Sequence, residues 1–114
     1  MSNDQVDLEV VEQQIQTGEA IQKFRDDLIK LQNYPEWKNI IEEGYFKEEA
    51  ARLVMAKSAD LSPDSLRLID NMISGVGAFA QWLEGIKNRG RDVDRYLPEW
   101  EETRNEIIQG EGSH

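Results

Sequence analysis

An all-α fold follows from three features of the chain. Two long stretches place apolar residues every three or four positions, the spacing of one helix face. Pro35, Pro63 and Pro98 each stand where a helix would open. No window alternates with period two over β-branched residues, so no sheet is expected. Two long and two to three short helices predict an elongated helical hairpin or bundle. One domain is expected over 1–109, with 1–20 projecting or frayed and 110–114 a disordered tail.

The first helix is read from about 5 to 32. Asp4 is its expected N-cap, and Asp7 and Glu9 suit the positive end of the helix dipole. Leu8, Val11 and Ile15 step by three and four; Ile21, Phe24, Leu28 and Leu31 step by three, four and three. Gly18 links the two sets by two consecutive three-residue steps, which predicts a stammer, a bend or a change of packing partner there. The stripe of the first half is narrow and asks for a partner chain. Leu8, Val11 and Ile15 are therefore candidate partner contacts.

Tyr34-Pro35 stops this helix and starts the next, because a residue before proline avoids the α region. Trp37, Ile40 and Ile41 share a face, with Gly44 as C-cap; alternatively Gly44 lies inside one continuous bent helix. A third helix from Phe46 to about Ala59 gathers Phe46, Ala50, Leu53 and Val54 on one side.

Ser62 is a clean N-cap with Pro63 at the first helical position. The fourth helix, about 62 to 89, carries Leu66, Ile69, Ile73, Val76, Ala80 and Leu83 in strict alternation of three and four. Met72, Phe79 and Ile86 form a flanking row, and Trp82 falls beside the core stripe and is expected in the core. Gly90 ends the helix, and Pro98 opens a last short one with Trp100, Ile107 and Ile108. Tyr34-Pro35-Glu36-Trp37 is echoed by Tyr96-Leu97-Pro98-Glu99-Trp100, so Trp37 and Trp100 are peripheral anchors and candidate partner contacts.

The 114 residues carry a formal net charge of −10, but unevenly. Residues 1–20 hold five acidic side chains and no Lys or Arg, and residues 92–114 hold seven acidic against two basic. The 21–91 stretch is neutral, with 11 of each sign. Acidic ends repel phosphates and anionic headgroups, so neither nucleic acid nor membrane is an expected partner. No apolar run is long enough to span a bilayer, and Met1-Ser2-Asn3-Asp4 lacks the character of a signal peptide.

The catalytic inventory is thin. There is no cysteine, and the single histidine is the last residue, which excludes Ser-His and Cys-His pairs and histidine-based metal sites. Glu42, Glu43, Glu48 and Glu49 cluster, but Lys38, Lys47 and Arg52 lie among them at helical spacing, so a solvated ion-paired face is expected. No catalytic, cofactor or metal residue is assigned. Lys87-Asn88-Arg89-Gly90-Arg91 reads as a complement to a helix C-terminus, or as a docking spot for an acidic partner or a neighbouring copy's acidic tail through Arg89 and Arg91.

The run from Pro35 to Val54, with Glu43-Gly44-Tyr45-Phe46 followed by Glu49-Ala50 and Arg52-Leu53-Val54, resembles a segment of small tailed-bacteriophage proteins encoded among virion-assembly genes. The resemblance implies a viral origin and a morphogenesis or virion-associated role, in host cytoplasm or virion. It brings no functional residue. The expectation is a non-enzymatic helical protein that binds protein, itself as a homo-oligomer included. The alternative is an acidic inhibitor of a host nucleic-acid enzyme.

Overall fold

A computed structural model describes the backbone of residues 2–112 and the side chains of residues 7–110. Every regular element among them is helical. The elements are α1 (Ser2–Gln32), α2 (Pro35–Trp37), a π-helix (Lys38–Glu49), α3 (Ala50–Ala56) and α4 (Pro63–Gly112). The chain divides into two compact units. One holds residues up to Asp27 and from Ile86 onward; the other is Leu28–Gly85.

Asp4 lies inside α1 rather than capping it, and its side chain falls outside the described residues. α1 ends before Tyr34, whose φ of −74° and ψ of 138° are the extended pair that Pro35 demands. α4 begins as expected, with the Ser65 backbone N–H donating to Ser62 Oγ at 3.2 Å. It does not stop at Gly90. It runs on through Pro98 to Gly112, so the short C-terminal helix and the tail from 110 merge into it; residues 113 and 114 lie outside the described set.

In the first unit α1 and α4 run antiparallel. The α1 seam is Leu8, Val11, Ile15, Gly18, Gln22 and Arg25, an unbroken alternation of three and four, all at least half-buried. The expected stammer at Gly18 is therefore absent. The seam stays in phase by continuing through glycine and polar residues, while Phe24 and Leu31 are left exposed. The facing α4 seam is Ile86, Gly90, Val93, Leu97, Trp100, Arg104 and Ile107. Residues 7–20 do not project; Ile15 is 2% exposed.

Two glycines set how closely these helices approach. A Cβ on Gly90 would stand 2.6 Å from Arg25 Cγ and 2.8 Å from Arg25 Cβ. A Cβ on Gly18 would stand 3.0 Å from both Trp100 Cζ3 and Val93 Cγ1. Each glycine thus receives a large side chain from the opposite helix.

In the second unit the segment 35–56 is one continuous helical run, the alternative reading of Gly44, and its middle is wound as a π-helix. The wider π turn separates neighbouring side chains by a smaller angle, so Tyr45 and Phe46 both reach Phe79 of α4. Their ring centroids lie 5.9 and 5.6 Å from it. Leu28, Leu53 and Leu83 are buried here, and Lys57 Nζ meets Asp70 at 2.8 Å. On α4 the half-buried row is Ile69, Ile73, Val76 and Phe79. Ala80 is exposed because two three-residue steps around Val76 move Phe79 into its expected place, and Leu66 at the start of the helix is exposed as well. Trp82, expected in the core, is 52% exposed and stacks on Phe79.

Gly90→Ala should destabilise by about 1–3 kcal/mol through overpacking, against a helix-propensity gain of roughly 1 kcal/mol. Gly75 and Gly77 face open space. Alanine at either should stabilise by about 0.5–1 kcal/mol. Urea unfolding of the three variants checks the contrast; equal signs at all three positions would contradict it.

Candidate protein-interaction site

The described residues contain no group of three His, Cys, Asp or Glu side chains able to hold a metal ion. They do contain apolar surface in quantity. Six apolar side chains are buried among them, while fourteen large ones are exposed. Five of the exposed ones fall on two stripes, one in each unit.

On α1 of the first unit, Val10, Gln14, Thr17, Ile21 and Phe24 step by four, three, four and three. Each precedes a seam residue by one position, so α1 carries two neighbouring heptad stripes, one buried against α4 and one on its flank. The flank opens into a groove of about 410 Å³ lined by Val10, Gln14, Thr17, Ile21, Val93 and Trp100. Beside it, sharing Thr17 and Ile21, lies a hollow of about 300 Å³ lined by Ala20, Phe24, Ile86 and Arg89.

In the second unit Leu68, Met72 and Trp82 are exposed on α4, again one residue ahead of the half-buried or buried Ile69, Ile73 and Leu83. Ile40, Val54 and Met55 add apolar surface from the π-helix and α3. An open groove of about 470 Å³ runs over Ile40, Ile41, Gly44, Tyr45 and Glu49.

Electrostatics hold the first unit in register. Arg25 donates to both oxygens of Asp94, from Nη1 at 2.6 Å and Nη2 at 3.0 Å, and its Nε donates to Asp26 at 2.7 Å. Gln22 Nε2 adds a bond to Asp94 at 2.9 Å. The hydrogen bonds from Arg25, then Gln22, hold the Asp94 carboxyl below its usual range, and Asp94 in turn pushes the Arg25 guanidinium further up. On the π-helix, Lys47 Nζ donates to Glu43 at 2.8 Å, which raises the Lys47 ammonium; Arg52 pairs with Glu49 and lowers its carboxyl. Of the acidic run, Glu43 and Glu49 are thus ion-paired at helical spacing.

Of the residues expected to meet a partner, Leu8 and Val11 are half-buried in the intrachain seam. Ile15 is closed off inside it and is not available. Trp100 packs over Gly18, stacks on Tyr96 at 6.3 Å and forms one wall of the groove. Trp37 is half-buried at the end of α2, its Nε1–H buried without an acceptor among the described residues. Arg89 and Arg91 are exposed in the middle of α4, so no helix C-terminus is there for them to complement, which corrects that reading. The Pro-Glu-Trp echo also divides: Pro35 opens a helix, while Pro98 sits inside one.

Sequence reasoning passed over Gln22, Arg25 and Asp94. Continuing the Leu8, Val11, Ile15 spacing through Gly18 would have found the first two. Comparison with protein-family models, curated proteins and solved structures returns no match.

The pairing of Asp94 stabilises the fold above the ordinary carboxylate range near pH 4 and is lost as pH falls through its lowered value. Asp94→Asn should therefore melt below wild type at pH 7, with the gap closing below about pH 4. A gap that persists unchanged to low pH would contradict this.

Proposed function

We propose that the chain is a non-enzymatic assembly protein that works by apposing helical surfaces, as a homo-oligomer in virion assembly or as a virion component. The observation that carries the reading is the second apolar stripe beside the buried seam in each unit. Exposed apolar stripes of this kind are suited to being covered by another helix. Regular heptad spacing specifies a helical partner rather than a small ligand. No described helix is long and apolar enough to cross a membrane. The virion setting rests on the resemblance of residues 35–54.

The acidic-inhibitor reading has one feature in its favour: Asp7, Glu9, Glu12 and Glu19 are all exposed on α1. A basic face of a host enzyme would be drawn to them in a salt-dependent way.

Sedimentation velocity and fractionation of infected-cell lysates test the first reading. An oligomer that copurifies with virions or their precursors is expected. A strict monomer, absent from both at every salt concentration, would overturn it. A monomer that binds a nucleic-acid enzyme only at low salt would favour the second.

A further inference from the structure

The flank stripe of α1 has an internal symmetry that selects its occupant. Val10 and Phe24 lie seven residues to either side of Thr17, one at each end of the stripe. Both are more than half exposed, at 56% and 53%. A second α1 laid antiparallel across the same groove and centred on Thr17 places the small Val10 of each copy against the large Phe24 of the other. The contact is isologous, the same patch used twice, and it closes.

Charge favours this direction over the parallel one. The Val10 end is acidic: Asp7, Glu9 and Glu12 flank it on α1, and Glu99 and Glu102 lie on α4 beside Trp100, which shares the groove with Val10. The Phe24 end carries Lys87, Arg89 and Arg91 on α4, with Arg89 lining the hollow beside Phe24. Of the carboxylates at that end, Asp26 and Asp94 are engaged by Arg25 and Asp27 by Lys23, which leaves Asp92 exposed against the three basic side chains. Parallel pairing sets two acidic ends together. Antiparallel pairing brings Asp7 of each copy to the Arg89 end of the other.

We infer that two copies of this chain associate antiparallel through the Val10–Thr17–Phe24 stripe of α1, forming a four-helix arrangement from the first units of both. This rests on the self-assembly reading above and names its surface. It also accounts for Arg89 and Arg91 in the middle of a helix, where the dipole gives them no role.

The chain has no cysteine, so single thiols report the pairing directly. Full-length Thr17→Cys should form a disulfide-linked dimer under mild oxidation. Val10→Cys mixed with Phe24→Cys should cross-link about tenfold more than either alone, since only opposed Cβ atoms within disulfide reach join readily. Val10→Cys linking to itself as well as to Phe24→Cys would overturn the antiparallel direction. An oligomer by sedimentation that cross-links at none of the three positions would overturn this surface and leave the assembly reading standing. A monomer under the same conditions would overturn both. Arg89→Glu, an exposed change that leaves the seam untouched, should weaken association about threefold, and Asp7→Arg added to it should restore affinity. Unchanged affinity in Arg89→Glu at low salt would count against the charge argument.

Discussion

The first unit depends on Arg25 lying over Gly90. The glycine lets the aliphatic stem of Arg25 rest against the α4 backbone, and the guanidinium then reaches Asp94 with both terminal nitrogens. A solvated ion pair of this kind ordinarily contributes little. Here the arginine side chain is 14% exposed and its fork is fixed on two oxygens, so less freedom is lost in making the bond. Gly18 repeats the arrangement from the other helix by receiving Trp100 and Val93. Polar and glycine positions in a helical seam specify alignment more than they add stability. A slip of one heptad would set Arg25 and Trp100 against side chains instead of glycines.

That seam is also why so much apolar surface remains outside. Gly18, Gln22, Arg25 and Gly90 occupy positions that leucine or isoleucine would fill in a self-sufficient pair. The apolar residues of the same stretch, Ile21 and Phe24, sit one position away, on the flank. Packing within the chain and exposed apolar surface are therefore divided between two adjacent stripes of one helix. The second unit repeats the division on α4, where Phe79 packs under Tyr45 and Phe46 while Leu68, Met72 and Trp82 stay at the surface.

Helical character was legible throughout, because spacing and proline positions are local signals. The Ser62-Pro63 start and the Tyr34-Pro35 stop follow directly from them. The continuation of α4 was not legible. Gly90 reads locally as a terminator, and only its contact with Arg25 shows that it is a packing position. Pro98 likewise reads as an opening, although it lies within the helix. The choice of stripe on α1 was misleading for a related reason. Hydrophobicity points to Ile21 and Phe24, whereas the buried face is selected by geometry across the pair, which small and long polar residues satisfy. The π winding at 38–49 has no local signature, and with it the joint approach of Tyr45 and Phe46 to Phe79 was out of reach. Of the residues expected to contact a partner, Trp100 and Arg89 do line the grooves of the first unit, but Ile15 was drawn inward by the same seam.

The most direct test of this account is a double-mutant cycle on the cross-helix bond, with Arg25→Gln, Asp94→Asn and the pair compared by thermal unfolding at pH 7. If Arg25 and Asp94 act as one unit, either change alone should lower the melting temperature nearly as far as both together. Single losses that simply add would contradict the account, because they would show that the two side chains do not fix the helices to each other.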